Sequence, residues 1–102
     1  MSSFEDRKKN FENKFAHDEE LKFKVNSKRN KYLGEWAAEI LGKKDQEKGQ
    51  YILEVIKSDF REPGDEDIIK KLYQDLKDKN FSENDVRDKL NELLQTAKKD
   101  FL

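Results

Sequence analysis

Residues 81–101, Phe81-Ser82-Glu83-Asn84-Asp85-Val86-Arg87-Asp88-Lys89-Leu90-Asn91-Glu92-Leu93-Leu94-Gln95-Thr96-Ala97-Lys98-Lys99-Asp100-Phe101, carry the local signals that decide the fold class. Ser82 is suited to an N-cap, because its hydroxyl can accept from an amide two or three residues on. Asp85 occupies the return position of a capping box, with a shorter arm than the usual glutamate. Phe81 before the cap and Val86 at the fourth helical position have the spacing of a hydrophobic staple. Val86, Leu90, Leu93, Leu94, Ala97 and Phe101 then recur at steps of three and four, which predicts one apolar stripe on a long helix.

Working towards the N-terminus, the same period recurs and strand-like alternation does not. Asn80-Phe81-Ser82, Pro63-Gly64 and Gly42 are the punctuation, and these three boundaries divide the chain into four helical segments. The third starts at Asp65, whose neighbours Glu66 and Asp67 place negative charge on the positive end of the helix dipole. Its inner face is expected to be Ile68, Ile69, Leu72, Tyr73 and Leu76. The second runs from about Asp45 to Arg61, with Tyr51, Ile52, Val55, Ile56 and Phe60 inward. Gly49 weakens its first turns by about 1 kcal/mol relative to alanine.

The first segment, residues 1–41, changes character along its length. Leu21, Val25, Tyr32, Leu33, Trp36, Ala37, Ile40 and Leu41 make a broad stripe that belongs in a core. Before them only Phe4, Phe11 and Phe15 are large and apolar, at steps of seven and four on one helical face. So narrow a stripe suits docking into a partner's groove. Asp18-Glu19-Glu20 can start a new helix, which predicts a joint near His17. The expected organisation is all-α: an arm, residues 1–17, flexible or helical when free, followed by a four-helix bundle, residues 18–102.

Composition fits such a molecule. Of 102 residues 44% are charged and 33% hydrophobic, but 22 basic side chains face 23 acidic ones, so self-repulsion is small. Leu, Ile, Val and Phe supply 25 residues, above the roughly one-fifth below which chains of high net charge tend to stay unfolded. A chain of this length is one domain and buries roughly 60–70% of its unfolded surface. Cysteine is absent, which excludes disulfides and thiolate chemistry. Residues 1–20 contain no apolar signal region and no run reaches membrane-spanning length, so the expected location is cytoplasmic, without membrane insertion. Balanced charge gives no general reason to expect nucleic acid as a partner.

Sites of chemistry are hard to assemble from these residues. His17 beside Asp18 lacks the nucleophile or second histidine that a catalytic pairing requires, and reads as a solvated residue near a helix start. Carboxylates are so common that many are explained as helix-surface ion pairs: Glu5–Lys9, Glu20–Lys24, Glu39–Lys43, Asp67–Lys71 and Asp85–Lys89. Gly64-Asp65-Glu66-Asp67 lacks the glycine and distal glutamate of an EF-hand loop. No metal site, P-loop or dinucleotide fingerprint is present. An enzyme is not expected. One cluster allows a ligand: Lys22, Lys24, Lys28, Arg29 and Lys31 lie near Tyr32 and Trp36, where cations hold a phosphate and a ring stacks on a base. The same residues also suit a solvated helix flank beside core aromatics.

The stretch Phe11-Glu12-Asn13-Lys14-Phe15-Ala16-His17-Asp18-Glu19-Glu20-Leu21-Lys22-Phe23-Lys24, continued by Lys28-Arg29-Asn30 and Gly34-Glu35-Trp36-Ala37-Ala38-Glu39, resembles the ζ-subunit family of α-proteobacterial F1-ATPases. Val55-Ile56-Lys57-Ser58-Asp59-Phe60, Gly64-Asp65 and the final long helix extend the likeness over essentially the whole chain. The resemblance implies a four-helix bundle preceded by an inhibitory segment, about Ser2 through Asp18. That segment enters the catalytic interface between the α and β subunits near the γ shaft and blocks ATP hydrolysis. Phe4, Phe11 and Phe15 would be its apolar anchors, and Arg7, Lys8 and Lys14 its polar contacts. The protein would be peripheral to the inner membrane through ATP synthase. The resemblance further implies an adenine nucleotide, ADP or ATP, on the bundle near Lys28, Arg29, Asn30 and Trp36, which gives the alternative function, a nucleotide-binding regulatory module. Lys28 stands where many members have arginine, so the bidentate phosphate fork is lost there.

Overall fold

The computed structural model describes the backbone of residues 3–59 and 64–102, and the side chains from Glu5 onward within those ranges. Among these residues the chain is all-helical, with five α-helices: α1 (Ser3–His17), α2 (Glu19–Ile40), α3 (Asp45–Ser58), α4 (Glu66–Leu76) and α5 (Glu83–Lys99). A 3-10 turn, Lys77–Lys79, follows α4. The expected joint is a single residue. Asp18 leaves the helical region (φ −104°, ψ 105°) and its Oδ1 accepts from the Leu21 amide at 3.1 Å, capping α2.

Each later boundary has its own local cause. α2 stops at Gly42, whose φ of +74° a residue with a Cβ adopts only with strain. The amides of Gly42 and Lys43 return to the carbonyls of Glu39 and Ala38, closing the helix as a Schellman motif. α3 ends at Ser58 with Asp59 as its cap, so it is shorter than its periodicity predicts. Phe60 and Arg61, expected in that helix, lie outside the described residues. Asp65 precedes α4 instead of opening it. Asn80, at φ +68°, ends the 3-10 turn in the left-handed conformation that asparagine tolerates. α5 begins with the full capping box: the Asp85 amide donates to Ser82 Oγ at 3.1 Å and the Ser82 amide to Asp85 Oδ2 at 2.9 Å.

α2 is the central element and packs chiefly on α3 and α5, while α4 lies against α3 and α5. The main core joins Leu33 and Ala37 of α2 to Tyr51 and Val55 of α3, Ile68 and Leu72 of α4, and Val86 and Leu90 of α5. Phe81 packs against this cluster with Val86 in it, as the staple spacing predicts. Gly34 lets α2 and α3 approach closely: a Cβ there would lie 3.0 Å from the Ile52 Cα. Two expected core residues are outside. Tyr73 is 36% exposed on α4, and Phe101, 37% exposed, lies in the turn beyond the last residue of α5. Glu20–Lys24, one of the expected ion pairs, forms at 3.3 Å. Glu39 meets Lys48 instead, Lys71 meets Glu54 and Asp75, and Asp85 serves the cap. No helix among the described residues is long and apolar enough to cross a membrane.

Candidate functional site

The first region of interest is α1 and the surface that receives it. Phe11 and Phe15, one turn apart, stack with centroids 6.3 Å apart and planes at 18°. Phe11 is 8% exposed and forms a second, smaller apolar cluster with Val25 of α2 and Ala97 of α5. Phe15, Leu21, Tyr32 and Leu94 pack around it. The helix is therefore docked in the free chain through the same narrow stripe that its sequence displays. Lys98 of α5 holds it twice: Nζ lies 3.2 Å from Glu12 Oε2 and 4.5 Å from the centre of the Phe15 ring. Glu5 through Asn10 are all exposed, Arg7 and Lys8 among them, and so is Lys14. The side chain of Phe4 lies outside the described residues. A groove of about 370 Å³ remains between Arg7, Lys8 and Phe11 of α1 and Gln95, Lys98 and Lys99 of α5.

The second region is the basic cluster of α2, and the structure sends its members to different neighbours. Arg29 is 1% exposed. Its Nε and Nη2 donate to Asn30 Oδ1 at 3.1 and 2.8 Å. Nη2 also lies 3.0 Å from Asp65 Oδ1 and 3.6 Å from Asp59 Oδ2. Asn30, itself buried, donates through Nδ2 to Asp59 Oδ2 at 2.8 Å. The pair thus binds the end of α3 and the start of α4 to the middle of α2. Burial pushes the Asp59 carboxyl above its ordinary pKa, against the opposing pull of Asn30 and Arg29. Lys28 pairs with Asp100 at 3.5 Å and lies 5.8 Å from the Phe101 ring centre. Asp100 also accepts from the Tyr32 hydroxyl, which raises the phenol's pKa and lowers the carboxyl's. Trp36 meets Phe81 edge to face at 5.5 Å, with Lys89 over its ring. Lys28, Arg29, Asn30 and Trp36 are thus engaged with different neighbours.

The groups that hold both regions together carry little signal in the sequence. Glu12 and Lys98 were one charge each among many, 86 positions apart. Ala97 was legible as a small residue in the α5 stripe, and it is the flat part of the Phe11 seat. Nothing in the sequence pairs Asp59 or Asp65 with Arg29, since only the tertiary approach of the α3–α4 connection brings them together. Among the described residues, no group of three or more histidine, cysteine, aspartate or glutamate side chains is arranged to hold a metal ion. His17 is exposed in the last turn of α1.

By its fold this is an all-α protein with a long central helix and a short amphipathic helix docked at one side. Its relationship is specific: the chain belongs to the family described as ATPase inhibitor subunit zeta, whose model it matches over residues 1–100. The name is that of a regulatory subunit and not of a catalyst. No match was found among curated proteins.

Proposed function

We propose that the chain inhibits the F1-ATPase by inserting residues 1–17 into the catalytic interface of the α, β and γ subunits, while residues 18–102 stay outside as a four-helix bundle. The observation that carries this reading is the character of α1, together with the family to which the chain belongs. Its cations Arg7, Lys8 and Lys14 stand in solvent, and its rings Phe11 and Phe15 share one face. That narrow face and the Glu12–Lys98 ion pair attach it to α2 and α5, and one non-helical residue, Asp18, joins it to α2. Such a helix can be transferred to a groove in which the rings become buried anchors and the cations meet acidic or carbonyl groups. The inhibitor does no chemistry. It acts as a wedge that stabilises one rotational state, and it resides in the cytoplasm, peripheral to the inner membrane through ATP synthase.

The test is ATP hydrolysis by cognate F1 in the presence of the full chain and of a form lacking residues 1–17, with helical content of both followed by circular dichroism. Inhibition by the full chain alone supports the wedge. Equal inhibition by a folded truncated form removes α1 from the mechanism. The adenine-nucleotide alternative has less support, because a phosphate at Arg29 must first displace Asp59 and Asp65. Unchanged amide resonances of Arg29, Asn30 and Trp36 on adding ADP or ATP would dispose of it.

A further inference from the structure

The face of α1 that the inhibitory reading sends into F1 is already occupied. Phe11 is 8% exposed against Val25 and Ala97, and the Phe15 ring lies under Lys98. A buried ring cannot be an anchor elsewhere until it leaves its seat. The seat is built to hold without being deep. Its floor includes the small, fully buried Ala97, and Lys98 supplies a polar hold, its cation shared between the Glu12 carboxylate and the Phe15 ring. That cation is itself largely covered, with a side chain 13% exposed, so its two contacts are less screened than those of a surface lysine. Residues 5–10 extend beyond the seat in solvent, and Asp18 is a one-residue joint about which α1 can swing.

From this geometry, and resting on the inhibitory reading above, we infer that helices α2 and α5 form an internal receptor for α1 that competes with F1, and that Lys98 is its latch. Docked and inserted states then exclude each other. The apparent affinity for F1 equals the intrinsic affinity scaled by the undocked fraction. Anything that weakens the latch strengthens inhibition, although Lys98 itself takes no part in the contact with F1.

The chain has no cysteine, so a cross-link can be placed at will. In a Glu12→Cys/Lys98→Cys double variant, a bismaleimide with a disulfide spacer ties α1 to α5, and reduction of the spacer frees it. The inference expects the cross-linked form to inhibit cognate F1 at least about tenfold less than the same protein after reduction. It also expects Lys98→Ala to inhibit at a concentration on the order of three- to tenfold lower than the parent, from loss of one partly screened ion pair and one cation–ring contact. Amides of residues 5–17 should exchange faster in Lys98→Ala. If the cross-linked form inhibits as well as its reduced counterpart, α1 need not leave its seat, and this inference alone falls. Lys98→Ala matching the parent in both inhibition and exchange would likewise overturn the latch. Failure of the parent to inhibit at all overturns the inhibitory reading, and this inference with it.

Discussion

Nη2 of Arg29, in the middle of α2, lies 3.0 Å from Oδ1 of Asp65, the residue immediately before α4. The guanidinium is 1% exposed and serves Asn30 and Asp59 as well. A charge this deeply buried is tolerated only because its donors meet carboxylates and an amide oxygen, and the carboxylates depend on it in turn. Arg29→Met therefore leaves the largely covered Asp59 carboxylate without the guanidinium that faces it. The expected cost is about 3–5 kcal/mol in urea unfolding. Arg29→Met combined with Asp59→Asn should recover a substantial part of it, because the uncompensated carboxylate is then gone. No recovery in the double variant would mean that packing, not charge, sets the cost.

The same network gives stability a pH dependence of unusual sign for an aspartate. Burial raises the Asp59 carboxyl above its ordinary pKa, and Asp65 and Asp67 add to the rise, while Asn30 and Arg29 lower it. Between the unfolded value and this higher folded value the native chain holds more protons than the unfolded one. Its stability contribution therefore falls as pH rises through that window. Relative to Asp59→Asn, the parent should lose ground as pH rises just above the ordinary carboxylate range, and the difference should then level off. Urea titrations of both proteins across that range measure it. A difference that grows in the parent's favour would mean that Arg29 and Asn30 outweigh burial.

The two helical glycines make opposite predictions although both sit where a helix would prefer alanine. At Gly34 a Cβ would lie 3.0 Å from the Ile52 Cα and 3.3 Å from its Cβ, so α2 and α3 must separate to admit it. Gly34→Ala should destabilise by about 1–3 kcal/mol. At Gly49, exposed on α3, the added methyl meets nothing within 4 Å. Gly49→Ala should stabilise by roughly 0.5–1 kcal/mol. Thermal unfolding of the two variants beside the parent reads both, and a common sign would place the α2–α3 contact elsewhere.

That contrast also marks how far the sequence could be read. Signals that act within one turn were legible: the Ser82–Asp85 box, the Phe81–Val86 staple and the break at Asp18 all stand where spacing puts them. The cost of Gly49 was legible for the same reason, but the role of Gly34 was not, since it depends on Ile52 in another helix. Tyr73 and Phe101 continue apolar stripes by count, yet Tyr73 turns to solvent and Phe101 lies past the end of its helix. The basic cluster around Lys28 and Arg29 reads more readily as a solvated flank than as a phosphate cradle, and for Arg29 and Asn30 the structure shows a third arrangement. Their partner Asp59 lies 29 positions beyond Asn30. Periodicity contains nothing about which carboxylate a buried arginine will meet.

Phe11 offers the sharpest test of the link between docking and inhibition, because truncating it acts on both states. In the free chain Phe11→Ala empties the seat against Val25 and Ala97 and releases α1. In the proposed complex it removes an anchor. The first effect strengthens inhibition and the second weakens it, so the measured change is their difference. Phe11→Ala with Phe15→Ala should raise the half-inhibitory concentration for F1 by an amount equivalent to about 2–4 kcal/mol, if both rings are hot-spot anchors. On a Lys98→Ala background the same pair should cost more, since α1 is already loosened there and less docking remains to be relieved. The difference between the two costs is the coupling energy of the cycle. Equal costs on the two backgrounds would mean that the face docked on α5 and the face presented to F1 are separate.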